Sequence, residues 1–296
     1  MNPNPILLSL LLNNNTYFLS FYIFGCMNFQ KTKHNFPWWL VLPVLTVFTF
    51  ALTELAARNP NSVEAIYTQK FYPVIASIFS AVSSLIPFSL DDLFYGLLIV
   101  FFIALVILLI FKKIKWKLAG KIVLNTLAVV YISFYFLWGF NYYRNDATQR
   151  LNISEQDADS EQFLAVFSQL TVQLNNSYTT FDSFEKETVD SLVEASYREL
   201  SPMLNIPYPA GKRRAKNITL SRFFAGAGIS GYYGPFFNEI HVNKNLLPVE
   251  YPFILAHEKA HQFGVTSEAE ASFYAWLICT NSSSELLRYS ANLYVF

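Results

Sequence analysis

Among the uncharged stretches of the sequence, three are apolar nearly throughout and at least 19 residues long: 35–53, 93–111 and 122–143. About 20 apolar residues in a helix cover the hydrocarbon core of a bilayer, and a helix satisfies its own backbone hydrogen bonds there. The chain is therefore expected to hold a membrane region, 36–144, with transmembrane helices over 36–56, 93–111 and 122–143. Trp38, Trp39, Trp138, Tyr142 and Tyr143 lie near the ends of these runs, where aromatic side chains gather at the membrane–water boundary. A fourth uncharged run, 71–90, is diluted by Pro73, Pro87 and five serines.

Lysines decide how that fourth run is read. Lys31 and Lys33 precede the first span, and Lys112, Lys113, Lys115, Lys117 and Lys121 fill the link between the last two. Three spans put both basic clusters on one side, whereas four would separate them. Lysine-rich short links favour the cytoplasm, so 71–90 is expected to be an interfacial or partly buried helix in an outer loop. Everything after the third span is then extracytoplasmic. Residues 1–35 read as an N-terminal extension, because no basic residue precedes their apolar stretch as it would in a signal peptide. Met27 is an alternative start.

The charges divide as the spans do. Residues 1–144 hold 10 Lys/Arg against 4 Asp/Glu, and residues 145–296 hold 11 against 17. An acidic polar half argues against nucleic acid as a partner. Cys26 and Cys279 are too few and too far apart for a disulfide framework.

Within 145–296, "FLAVFSQLTVQL" and "FEKETVDSLVEASYREL" carry apolar residues at helical spacing. The glycines and Pro235 of "AGAGISGYYGPFFNEIHVN" mark turns, and "EIHVN" alternates like a strand. Then comes "FILAHEKAHQFG". His257 and His261 are one helical turn apart and can offer both imidazoles to one metal ion. Glu258 stands slightly aside, where a carboxylate can take a proton from an attacking water. This is the chemistry of an HExxH zinc site, with Glu258 as general base. Gly264 allows a sharp turn after the helix. The third ligand is either Glu268 or Glu270. Ser267 and Glu270 fit a capping box at the next helix start, which leaves Glu268 to face the metal; in the alternative, Glu270 ligates and Glu268 favours the helix N-terminus. Glu268 is the preferred assignment. Tyr233, His241 and Asn243 are candidate substrate-binding residues, Tyr232 is a second candidate for an oxyanion contact, and Arg288 and Tyr289 are candidates for a carboxylate contact.

"HEKAH" followed by "EAEAS" resembles the gluzincin metallopeptidases, whose pattern is HExxH and then E-x-x-A-(D/N). Glu268 falls on that pattern's ligand glutamate and Ala271 on its alanine, while Ser272 stands where Asp or Asn is usual. The segments "SVEAIYTQKFYPVIASIFS", "FYFLWGFNYYR", "AGISGYYGPFFNEIHVN", "HEKAHQFG" and "EAEASFYAWLIC" resemble an uncharacterised family of bacterial membrane proteins of unknown function, found mainly in Bacteroidetes, over about 36–296. Together these resemblances imply an α-helical membrane region plus an α+β zincin-like metallopeptidase domain, 145–296. They further imply Zn²⁺ as cofactor, the lipid bilayer and a peptide or protein substrate as partners, and a bacterial cytoplasmic membrane with the catalytic domain on its periplasmic side.

Overall fold

The structure, a computed structural model, describes residues 37–154, 159–181 and 184–296. The expected N-terminal extension lies outside them. A 3-10 turn, Trp38–Leu40, leads into α1, Val41–Ala57. The next helical rod is built of α2, Pro60–Ser62, a π-helical stretch over Val63–Phe71, and α3, Tyr72–Ser84. Two long helices follow, α4 over Leu90–Ile110 and α5 over Trp116–Leu137. α1 with its lead-in turn, α4 and α5 are each long and apolar enough to cross a membrane, and the rest of the protein covers little of them.

Contacts at the helix ends set their directions. Only residues 111–115 separate α4 from α5, so the two run antiparallel. α1 runs parallel to α5: the Lys121 ammonium sits 4.7 Å over the Trp39 ring at one end, and Leu52, Ala56, Tyr135 and Phe140 pack together at the other. The ends of the three helices away from the lysine link therefore all meet the remainder of the chain. Ser89 starts α4 there by accepting the Asp92 N–H at 2.8 Å. Glu239, from the sheet described below, accepts the Leu90 N–H at 2.9 Å and the Asp91 N–H at 3.2 Å. A carboxylate at these orphan donors is favoured by the helix dipole.

Two expectations from hydropathy need correction. The third span was expected to reach residue 143, but α5 ends at Leu137 and Gly139–Tyr143 form a 3-10 turn. A Cβ at Gly139 would approach the Phe134 ring to 2.7 Å, so the corner is closed to larger residues. Phe140 and Tyr143 are apolar because they pack on Val63 and Tyr67 of the π-helical stretch. Residues 71–90 were expected to form an interfacial or partly buried helix; the helix is there as α3, but shorter and joined to what precedes it. The rod begins at Pro60 and buries Tyr72 and Ala76 against Trp138, while Ile66, Phe71, Val74, Ile78 and Val82 line its exposed face.

The polar half is mostly helical, with α6 (Ala147–Leu151), α7 (Ser160–Asn176) and α8 (Lys186–Leu200) first. β1 (Ala215–Asn217), α9 (Ser221–Gly226), β2 (Gly231–Gly234) and β3 (Glu239–Val242) come next. α10 (Tyr251–Gln262), α11 (Glu268–Thr280) and α12 (Glu285–Val295) end the chain. The sheet order is β1-β3-β2, with β1 parallel and β2 antiparallel to β3. β3 is buried at every position. Ile240 and Val242 join the main core, which holds Phe253, Leu255, Ala256 and Ala260 of α10, Val193 and Tyr197 of α8, and Tyr274 and Ile278 of α11. α10 is thus packed on nearly all sides, as expected for a helix whose residues are apolar around most of its circumference. Its one buried cation, Lys259, is wholly covered and paired with Glu194 at 2.6 Å and Asp190 at 3.0 Å on α8.

Candidate metal centre

Pro252 sits in the first turn of α10, where its missing N–H is harmless. The helix ends at Gly264, whose φ of +85° is the left-handed conformation that turns the chain back. A Cβ there would also lie 3.1 Å from the Asn141 side chain. Ser267 then caps α11, its hydroxyl accepting the Glu270 N–H at 3.4 Å. This places Glu268 on the first turn of α11, across the Gly264 corner from the two histidines.

His257, His261 and Glu268 each direct one ligand atom at a common point, all within 4.8 Å of one another. The separations are 3.1 Å between the two Nε2 atoms, 3.0 Å from His257 Nε2 to Glu268 Oε2, and 3.5 Å from His261 Nε2 to Glu268 Oε1. His261 Nδ1 is 2.8 Å from the Val265 carbonyl, which can only accept, so Nδ1 carries the proton and Nε2 a lone pair. His257 Nδ1 meets the Ser272 hydroxyl at 3.2 Å, and donation to it leaves the His257 Nε2 lone pair inward as well. Burial, and next the His261 imidazole, hold the His257 pKa below its usual value against the pull of Glu268, which favours the neutral ligand form. In that tautomer of His257 three electron-pair donors face each other without a hydrogen between them. A cation is the group that suits such a convergence. Ligands about 2 Å from a tetrahedral ion stand about 3.3 Å apart; the two Nε2 atoms are close to that, while Glu268 meets the two imidazoles with different oxygens, so that with one atom from each residue the spread reaches 4.8 Å.

Glu258 is buried, with its carboxylate against β2: a Cβ at Gly231 would fall 2.7 Å from Glu258 Oε1. Glycine at 231 is therefore what admits this side chain. Burial, and then the Glu268 charge, push the Glu258 carboxyl well above its ordinary range. A positive charge at the three donors would act in the opposite direction. The cavity over these groups holds about 360 Å³ and is lined by Phe134, Trp138, Tyr142, Gly231, Tyr232, Tyr233, Pro235 and Thr266 besides the four residues just described. Glu268 leaves it open to solvent, its side chain being 81% exposed.

The end of α10 is gripped by residues from before position 145. Tyr72 donates its hydroxyl to the Gln262 carbonyl at 2.6 Å, Trp138 its indole N–H to the His261 carbonyl at 3.0 Å, and Arg144 Nη1 to the Gly264 carbonyl at 3.1 Å. Arg144 is itself held by two bonds to Glu64, at 2.7 and 2.8 Å. The last carbonyls of a helix need such donors. Trp138 and Tyr142, expected in an aromatic belt, thus belong to the cavity wall, and Trp138 to this collar. Their hydrophobic setting at the end of a span concealed that role. The expected boundary at 145 consequently cuts through the site.

Strand parity separates the remaining candidates. Gly231, Tyr233, Ile240 and Val242 face α10; Tyr232, Gly234, Glu239 and His241 face α4, because side chains alternate along a strand. Tyr233 does line the cavity, although its hydroxyl accepts from Asn238 at 2.7 Å and lies 3.3 Å from that of Tyr72. His241, expected to bind substrate, instead meets the Ser89 hydroxyl at 2.7 Å and stacks on the Tyr232 ring. Tyr232 also borders the cavity, but its hydroxyl is bonded to Asp92 on α4. Asn243, also expected to bind substrate, braces a turn through the carbonyls of Ser221 (2.9 Å) and Ile229 (3.1 Å). Arg288 donates to the Ser282 carbonyl, and Tyr289 packs on Tyr178. Glu270 neither joins the donors nor folds back on Ser267: it pairs with Arg150 and accepts the Ala147 N–H at 2.7 Å, tying α11 to α6. Ser272, at the position where the gluzincin pattern has Asp or Asn, still reaches His257.

No curated protein and no solved structure matches the chain. A family model described as "Protein of unknown function (DUF3810)" matches residues 67–296, a span that opens inside the π-helical stretch and takes in the collar and all the donors, and the chain belongs to that family.

Proposed function

We propose that this chain is a membrane-anchored, zinc-dependent hydrolase of the metallopeptidase type. The carrying observation is the convergence of His257, His261 and Glu268, whose ligand atoms, one from each residue, lie within 4.8 Å of one another, with the two imidazole Nε2 atoms 3.1 Å apart; two His and one carboxylate are a donor set that suits zinc. These three side chains would hold Zn²⁺, which when bound supplies Lewis-acid polarisation of a carbonyl and acidifies water. Glu258 accepts a proton from the attacking water and returns it to the departing amine. In net terms the water oxygen joins the carbonyl carbon, the C–N bond breaks, and the amine leaves protonated.

β2 supports a peptide or protein substrate. Asn243 N–H donates to the Ser230 carbonyl at 2.8 Å, so by alternation the main-chain groups of Gly231 and Tyr233 point away from β3, along the cavity side. An extended peptide can pair with such an edge. A helix bearing both histidines beside an edge strand is also the arrangement that the gluzincin resemblance implies. The lysine count favours the 112–121 link on the cytoplasmic side of a bacterial inner membrane, with the metal centre on the periplasmic side.

Metal analysis of the purified full chain is the test. The expected result is about one zinc ion per chain in wild type and little in His257→Ala. Full zinc content in the variant would remove the proposal.

A further inference from the structure

A second cavity bears on what reaches this centre. Between α1 and α5 runs a groove of about 660 Å³, lined by Pro43, Thr46 and Val47 on one side and by Leu127, Ala128 and Tyr131 among others on the opposite side. The Thr46 hydroxyl is bonded to the Leu42 carbonyl at 3.0 Å, so it asks for no partner from the groove. Both helices are long and apolar enough to span a bilayer, which puts the groove at hydrocarbon depth. Bulk lipid could coat such a surface, but two features set this one apart from the lipid-facing exterior. Phe134 lines both the groove and the metal cavity. The turn between β2 and β3 contributes Pro235 to the cavity and Phe236 to the groove, and Phe236 is anchored on Phe94 of α4 with ring centroids 4.6 Å apart. The apolar groove and the polar cavity are thus neighbours, with Phe134 bordering both.

We infer that the groove holds the acyl chain of a lipid-linked amide whose carbonyl is delivered to His257, Glu258, His261 and Glu268; this rests on the hydrolase reading above. A membrane-spanning helix, about 10 Å across and 30 Å long, fills about 2,000 Å³ or more and does not fit. An extended alkyl chain does, and the size is that of a site for a small amphiphile. The reaction is that already given, with the fatty acyl carbonyl as the carbon attacked. Water and the amide become a fatty carboxylate, whose chain stays in the groove, and a protonated amine, which leaves toward the open Glu268 side.

The experiment uses the full chain in lipid nanodiscs, as Glu258→Gln so that the probe is not consumed. The probe is N-palmitoyl glycine with a diazirine at mid-chain; the control is a phosphatidylcholine with the same diazirine chain. After illumination, labelled peptides are mapped by mass spectrometry. The expected result is labelling of 43–47 and 124–134 by the acyl-glycine, several-fold above the phospholipid and competed by unlabelled N-palmitoyl glycine but not by N-acetyl glycine. Val47→Trp, which narrows the groove from its exposed rim, lowers that labelling about tenfold, the equivalent of expelling two methylenes. Ala128→Trp fills the floor and serves as a second variant. Equal labelling by the phospholipid, or labelling that ignores both substitutions, overturns the inference and means a lipid coat only. Labelling confined to β2 overturns it in favour of an unacylated peptide. Zinc content of the same samples, and hydrolysis of unmodified peptides by wild type, report separately on the hydrolase reading: metal and turnover without groove labelling sink the acyl chain alone, and groove labelling without metal sinks the hydrolase alone.

Discussion

The Tyr72 hydroxyl donates to the main-chain carbonyl of Gln262 at 2.6 Å, joining residues 190 positions apart in the chain. Burial pushes the Tyr72 phenol well above its usual pKa, so it stays protonated and able to donate. The last turn of the helix that carries both histidines is therefore secured by the rod that precedes α4.

Tyr72→Phe removes the donor without changing the ring. A buried carbonyl left without its partner costs about 1–3 kcal/mol. Thermal unfolding of the full chain in detergent should show the loss, with zinc per chain unchanged. An unaltered melting temperature would remove this contact from the account.

The carboxylates near the histidines divide by role. Glu258→Gln is expected to keep zinc and lose turnover by about two to four orders of magnitude, as loss of a positioned base does. Glu268→Gln should weaken zinc binding, because it takes away a charged ligand. Glu270→Gln should keep zinc and lower stability, because it breaks the pairing with Arg150 that ties α11 to α6. Zinc content and unfolding measured for all three side by side decide the matter; zinc loss in Glu270→Gln with retention in Glu268→Gln would reverse the ligand assignment.

Ser272 is the test of whether His257 is oriented from behind. Ser272→Ala removes the hydroxyl 3.2 Å from His257 Nδ1. Partners of metal-bound histidines typically contribute about 10- to 100-fold in affinity. Competition with a zinc-chelating dye should show a loss of that size with little change in melting temperature.

Acid sensitivity follows from Glu194. Burial alone would raise its pKa, but the Lys259 ammonium and the Arg213 guanidinium outweigh burial and hold it at about 2. The carboxylate lies 2.6 Å from Lys259 and 2.8 Å from Arg213. Folding lowers this pKa from about 4.3, so the stabilisation, of the order of 3 kcal/mol, is full above that value and is lost as pH falls through about 2. Wild type should lose melting temperature over that range. Glu194→Gln should start lower and fall less. Parallel curves for the two proteins would contradict the assignment.

Topology has a direct measurement. The lysine link and the His257–His261–Glu268 cluster lie at opposite ends of the three long helices. A periplasm-active reporter fused after Phe296 should be active, and a cytoplasm-active one silent. The reverse pattern would invert the proposed orientation.

What the sequence revealed was local. The i, i+4 histidines, the Gly264 turn and the Ser267 cap are all read within one or two helical turns, and each is found where that reading puts it. Composition likewise marks the three long apolar helices. Long-range partners escaped. Nothing near Glu270 shows that Arg150 and the Ala147 N–H would claim it. The side of the strand on which His241 lies depends on its pairing register with β2, and a lone alternating segment does not reveal which face meets α10. Trp138 and Phe140 are as hydrophobic as a span requires, yet they stand after the helix has ended. The π-helical stretch carries Glu64, whose place among apolar neighbours makes sense only once Arg144 is beside it.

The collar also bears on modularity. Hydropathy sets residues 145–296 apart from the apolar helices, as if they could be produced alone. Such a fragment would lack Tyr72, Trp138 and Arg144 together, leaving the carbonyls of Gln262 and Gly264 without the donors they have here and exposing the flank of α10. The rod, α4, the end of α5 and the polar half hold one another, so the long apolar helices are a piece of the scaffold of the His257–His261–Glu268 cluster rather than a tether that could be exchanged for another.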